Sequence, residues 1–133
     1  MKPGDFAEAC FVVAERDMAS ALAISPEDDF PEVFATSRML ALMELAAARC
    51  MKPLLQEDEL SVGVGVDIRH LAATPIGVQV RARASFIGQE GKLYHFEVEA
   101  FDAAGLIGKG EHSRAIISTQ RLLEGAEARR PGT

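Results

Sequence analysis

Along the 133-residue chain the spacing of apolar positions changes once, from irregular and then helical in the first half to alternating in the second. Residues 9–14 (ACFVVA) are a short apolar run that reads as a strand, and residues 18–24 read as a second short strand. Residues 25–35 (SPEDDFPEVFA) carry two prolines and four acids, the composition of a loop, here one able to cover a neighbouring surface. Residues 36–52 (TSRMLALMELAAARCMK) are the clearest helix, rich in Ala, Leu, Met, Glu and Arg. Thr36 or Ser37 can cap its start, and Pro53 stops it. Its apolar residues wrap almost all the way round, which predicts a helix buried on nearly every side.

After an acidic connection at 54–60 the period becomes two. Val62, Val64, Val66 and Ile68 alternate with Gly63, Gly65, Asp67 and Arg69, predicting a strand over 61–71 with one apolar face. Residues 73–77 (ATPIG) are a turn, 78–87 and 93–102 are further strands joined by a hairpin loop at 88–92, and 106–119 is a last long strand. The polar remainder, 124–133, reads as a frayed tail. The order of elements predicts one α+β domain over 1–133, with a core at about 9–120 and an antiparallel meander of about five or six strands packed on one helix. The apolar helix and long strands point to a homodimer or a dimer of dimers.

Composition narrows the function. Hydrophobic residues make up 48% and charged residues 26%, and the net charge is −6 with pI near 5.0, so no basic footprint for nucleic acid exists. No apolar run reaches membrane-spanning length. The start, MKPGDFAEA, lacks the apolar stretch of a signal peptide. A cytoplasmic protein with no membrane partner is the expectation. Two cysteines, Cys10 and Cys50, without a C-x-x-C motif suggest neither a disulfide framework nor a zinc site. V-G-V-G-V lacks the glycine spacing of a dinucleotide fingerprint, and no G-x-S-x-G elbow is present.

Several residues carry candidate chemistry. Glu44 lies between Met43 and Leu45, where a carboxylate is desolvated, paired or lining a cavity. Periodicity alone also allows an exposed helix Glu paired with Arg38 or Arg49. His70 ends a strand before a turn, a position from which rigid elements deliver side chains to a rim, although a lone His is more often structural. Thr36 is an N-cap candidate whose hydroxyl stands beside free N–H groups that also suit an incoming carbonyl. Eight helical residues turn by about 800° and rise about 12 Å, so Thr36 and Glu44 can border one cavity without touching. Gly63 marks either tight packing or close approach of a ligand. Arg114 can pair with a carboxylate such as Asp67 or grip a phosphate. His95 and His112 read as strand residues on a solvated face or at an interface.

The order of elements is that of a hotdog domain, a long helix swaddled by an antiparallel sheet. FPEVFATSRMLALMELAAARCM (30–51), VGVGVDIRHLAATPIG (62–77) and IGKGEHSRAII (107–117) together resemble the fluoroacetyl-CoA thioesterase-like family over roughly residues 9–120. That resemblance implies hydrolysis of an acyl-CoA thioester without metal or organic cofactor, coenzyme A being part of the substrate. It implies catalytic roles for Thr36, Glu44 and His70, and substrate-binding roles for Gly63 and Arg114. It also places Phe30 and Phe34 at aromatic positions of the loop before the helix, expected to act as a lid. The fluoroacetyl-specific pattern has a further aromatic residue just before Phe30, where this chain has Glu27, Asp28 and Asp29. The reaction class therefore carries over, and a fluorinated acyl group does not follow.

Two chemical routes fit. His70 or Glu44 takes a proton from an attacking water, or Glu44 attacks and forms an anhydride that water then resolves. Rival readings are an acyl-thioester hydratase or dehydratase on the same fold, and a non-catalytic acyl-CoA binding module.

Overall fold

The computed structural model describes residues 1–132. In chain order it contains β1 (Phe6–Val12), α1 (Thr36–Met51), β2 (Glu59–His70), β3 (Gln79–Glu90), β4 (Leu93–Asp102), β5 (Gly105–Ser118) and α2 (Thr119–Ala128). The five strands form one antiparallel sheet in the order β1-β3-β4-β5-β2, with α1 against one face. The predicted meander holds for β3, β4 and β5. β2 does not neighbour β3. It pairs with β5 at the far edge, and residues 71–78 cross the end of the sheet to reach β3. That crossing is pinned by the Leu71 N–H on the Ile107 carbonyl at 2.7 Å and the Gly77 N–H on the Val13 carbonyl at 2.8 Å.

The helix sits close because the sheet beneath it is made of small side chains. Register pairs Ala9 with Ala82, Ala82 with Ala100, Ala100 with Gly108 and Gly108 with His70. This row spans all five strands, and its members up to Gly108 present little more than backbone. Met39 of α1 lies over it, and a Cβ on Gly108 would stand 2.5 Å from the Met39 sulfur. Met39, Leu42, Met43, Ala46, Ala47 and Met51 form the buried stripe of α1, spaced as one helical face. Phe34, Phe96, Val80, Val98 and Ile107 complete the core.

Four expectations change. The opposite face of α1 is not buried: Leu45 is exposed and Glu44 is half-exposed, so the single chain satisfies only one side of its apolar helix. Residues 18–24 are not a strand. They and their neighbours form 3-10 turns at Glu15–Asp17 and Ala19–Leu22, with one residue, Met18, bridging to Phe34. The Asp17 carboxylate accepts from the Ala14 N–H at 2.9 Å, which curls the chain before any ladder can start. The hairpin loop shrinks to the turn at Gly91 and Lys92. Gly91 takes φ +61°, the conformation a two-residue connection needs at its first position, and β3 runs on to Glu90. Finally, part of the supposed tail is helical. Ser118 accepts from the Arg121 N–H at 3.3 Å and caps α2, whose Ala, Leu, Glu and Arg content favours a helix.

An Ala82→Leu substitution inserts a branched side chain into the row under α1. It should lower unfolding free energy by about 1–3 kcal/mol, read as a reduced midpoint in urea denaturation.

Candidate active site

Two clusters flank α1, and both lie where a row of the sheet ends on the edge strand β2. The first is at its C-terminal end. Ala35, not Thr36, occupies the N-cap of α1, and it makes no side-chain cap. Thr36 is thus the first helical residue, and its hydroxyl is free to bond His70 Nδ1 at 2.8 Å. His70 stands at the end of the small-residue row, which leaves room for its ring. The Phe34 ring meets it edge-on, with centroids 6.5 Å apart. The other nitrogen, Nε2, is buried and has no partner among the described residues. Burial pushes the His70 pKa below its ordinary 6.5, opposed in part by the Ala72 backbone.

The A-A-T-P segment fixes this corner. Thr74 is fully buried. Its hydroxyl donates to Asp102 at 2.8 Å, and its carbonyl accepts the Phe34 N–H at 2.8 Å. Arg38 binds the buried Asp17 at 2.9 Å, and the Asp17 carbonyl accepts the Ala35 N–H at 2.9 Å, so the start of α1 is held from two sides. An apolar cleft of about 800 Å³ opens here, lined among others by Leu22, Phe30, Phe34, Thr36, Leu40 and His70. Phe30 is 45% exposed and Phe34 only 1%. Phe30 therefore suits a movable cover, whereas Phe34 is a fixed wall, contrary to the lid expected of both.

The second cluster surrounds Glu44. Its carboxylate Oε2 accepts from Arg114 Nη1 at 3.0 Å, and it rests on Gly63, where a Cβ would lie 2.8 Å away. Gly63 is needed for that approach. Arg114 is buried, and each of its three nitrogens bonds within the chain: Nε to the Ser61 hydroxyl at 3.0 Å, Nη2 to the Ser61 carbonyl at 2.8 Å, and Nη1 also to His112 Nε2 at 3.1 Å. It pairs with neither Asp67 nor open solvent, so a grip on a CoA phosphate does not suit its position. His112, expected on a solvated face or at an interface, is 4% exposed within the single chain and belongs to this network. The sequence did hold its signal. On an alternating strand His112 shares the face of Gly108, Gly110 and Arg114, the inward face. A smaller cleft of about 180 Å³ is lined by Glu44, Gly63, Val66, His112 and Leu40.

Thr36 and His70 are thus brought together, as are Glu44, Gly63 and Arg114. The two groups line different clefts that share only Leu40. Seven residue steps of extended strand separate His70 from Gly63, on the order of 20 Å.

This architecture is that of the hotdog thioesterases, and solved structures of that class superpose on it. The fluoroacetyl-CoA thioesterase FlK matches with TM-score 0.93 and 37% identity, covering 98% of each chain. A Thermus thermophilus protein described as a thioesterase superfamily member matches with TM-score 0.82 and 31% identity, covering 96% of each chain. The fluoroacetyl-CoA thioesterase of Streptantibioticus cattleyicolor is 42% identical over 99 residues, 74% of this chain and 71% of that protein. The family model for fluoroacetyl-CoA-specific thioesterases matches residues 13–120, and the chain belongs to that family. No helix among the described residues is long and apolar enough to cross a membrane.

The depressed proton affinity of His70 has a stability consequence. Just below pH 6.5 the folded chain binds fewer protons at this site than the unfolded chain, so stability from this group falls as pH drops through that window. An NMR titration of the His70 ring should give a midpoint below 6.5, moving up toward 6.5 in Phe34→Ala, where the ring gains solvent.

Proposed function

We propose that this protein hydrolyses a short or compact acyl-CoA to the free acid and coenzyme A. The observation that carries this reading is the Thr36–His70 hydrogen bond at 2.8 Å, beside a buried Nε2 without a partner at the wall of an apolar cleft. With Nδ1–H donated to Thr36, Nε2 presents a lone pair. It takes a proton from water, the water oxygen attacks the thioester carbon, and the imidazolium returns the proton to the departing CoA thiolate. The Thr36 and Ser37 N–H groups, in the first turn of α1, have no backbone acceptor among the described residues, and they are donors available to the charge that develops on the carbonyl oxygen. His70 stays neutral at physiological pH by desolvation, the state a base requires.

Glu44 supplies the anion. Arg114 engages Oε2, and Oε1 has no partner among the described residues. A carboxylate clamped by a guanidinium is a weaker nucleophile, which favours His70 as base over an anhydride on Glu44. Glu44 then stabilises the imidazolium or orients the water. Within one chain it lies too far along β2 to do so, and a second copy supports the reading. β2 is an edge strand with exposed Leu60, Val64 and Val66, next to the exposed Leu45 of α1. Antiparallel pairing of two such edges about an axis near Val66 would set the Gly63–Glu44 contact of one copy opposite Arg69 and His70 of the other. The catalytic group proposed is therefore Thr36 and His70 of one copy with Glu44 of its mate. Gly63 and Arg114 shape the carboxylate, and Phe30 covers the acyl cleft. Side chains supply base, anion and donors, so the reaction is proposed to need no cofactor. A cytoplasmic location fits a CoA substrate.

The reading is tested by thiol release from a panel of acyl-CoAs. His70→Ala and Glu44→Ala should each lower kcat/KM by about 10²- to 10⁴-fold, and unchanged turnover in both variants overturns the assignment. Mass spectrometry of the product separates hydrolysis from hydration, which keeps the thioester. Light scattering should give twice the 14.3 kDa chain mass, and a fully active monomer would remove the second copy from the site.

A further inference from the structure

His112 is used by none of the steps above, yet its environment is the most constrained of any histidine in the chain. It is 4% exposed, and both ring nitrogens are committed. Arg114 Nη1 is a donor with no lone pair, so His112 Nε2, 3.1 Å away, accepts from it. The proton of the neutral ring therefore lies on Nδ1, which donates to the Gly65 carbonyl at 2.8 Å. Gly65 borders the irregularity in the β2–β5 register between Gly63 and Gly65. One imidazole thus ties that bulge, which lets Gly63 pass beneath Glu44, to the guanidinium that holds the Glu44 carboxylate.

We propose that His112 is a positioning residue for the Glu44 carboxylate, acting through Arg114 and the β2 bulge, and that it works only as the neutral Nδ1–H form. The inference rests on the hydrolytic reading of Glu44. A proton added at Nε2 would point an N–H at a guanidinium N–H, leaving two cations 3.1 Å apart with no acceptor between them. Nη1 would swing away and release Glu44 Oε2. The charged and titratable groups around the ring are few. Arg114 lies on its own strand and Glu44 on α1, while β2 contributes the Gly65 carbonyl and Val66, and β4 contributes Phe96, with Tyr94 beside it opposite Arg114. Burial first, and Arg114 as well, push the His112 pKa down, while the Gly65 carbonyl and Glu44 oppose them. Neutral His112 is thereby maintained at physiological pH.

Three substitutions separate the two ring contacts. Gln places an acceptor where Nε2 lies, Asn keeps a donor near Nδ1, and Phe keeps the ring volume with neither. His112→Phe and His112→Asn should lose about 10- to 100-fold in kcat, the scale of a misplaced catalytic group, with KM within about twofold of wild type. His112→Gln should recover most of kcat. The acid limb of log kcat should approach a slope of about two in wild type, where two imidazoles must be neutral, and about one in His112→Gln. Full activity in His112→Phe, or a His112→Gln variant that loses as much as His112→Phe at equal thermal stability, overturns the proposal. The hydrolytic reading has its own control. If wild type releases no thiol, that reading falls by itself, and the clamp is then read by NMR. Slowly exchanging Arg114 side-chain N–H signals should be present in wild type and His112→Gln and absent in His112→Phe, and signals unaffected by His112→Phe would refute the clamp.

Discussion

The close approach of α1 to the sheet is the constraint from which the rest follows. A 16-residue helix can lie this close to the sheet only where the strands beneath it carry almost no side-chain volume. Alanine on β1, β3 and β4 and glycine on β5 provide that. The same row ends at His70, so the space that admits the helix also brings its first turn within hydrogen-bonding distance of an imidazole. Packing and chemistry are therefore set by one register. A slip of one residue in β5 would turn Gly108 outward and put a charged lysine under Met39.

The two clusters differ in how they treat charge. At the Thr36 corner desolvation favours the neutral imidazole, with the Thr36 hydroxyl on one ring nitrogen and the Ala72 backbone nearby. At the Glu44 corner an anion is balanced by a buried guanidinium, which is itself surrounded by acceptors. The Arg114 side chain is 6% exposed and that of Glu44 is 44%, so the cation is the interior member and the carboxylate faces outward. An anion so placed is available to something beyond its own chain, while the cation is not. The unpaired edge of β2 and the bare side of α1 lie beside it, so the proposed pairing of two copies and the proposed activity would share one surface.

Much of the architecture was legible in the sequence because periodicity reports burial. The helix at 36–51 and the four later strands follow from residue spacing, and the end of the helix follows from Pro53. Pairing of β2 with β5 was not legible, since alternation fixes faces and not neighbours. The turn at Asp17 was missed because its signal is one carboxylate reaching back three residues. For the site, the resemblance in the F-A-T, L-M-E and R-H-L-A-A-T-P segments pointed to Thr36, Glu44 and His70, and Thr36 and His70 do meet. The separation of Glu44 from Thr36 follows from their eight-residue helical spacing, whereas the placing of His70 beside Thr36 and not beside Glu44 depends on helix and strand running in opposite senses, which no local pattern records. Thr74, Asp102 and His112 were missed for a related reason. Each acts by touching a residue distant in sequence, and only His112 left a trace, through its place on the inward face of β5.

The cap position of α1 carries a last implication. Most helices gain about 1 kcal/mol from Ser, Thr, Asn or Asp at that place, and here alanine stands in it, one residue ahead of a threonine that could have served. Installing serine at position 35 would look like a repair, yet its oxygen would occupy the amide hydrogens proposed to receive the thioester carbonyl and would crowd the hydroxyl that bonds His70. Selection for thermal robustness and selection for turnover would pull in opposite directions at this single methyl group.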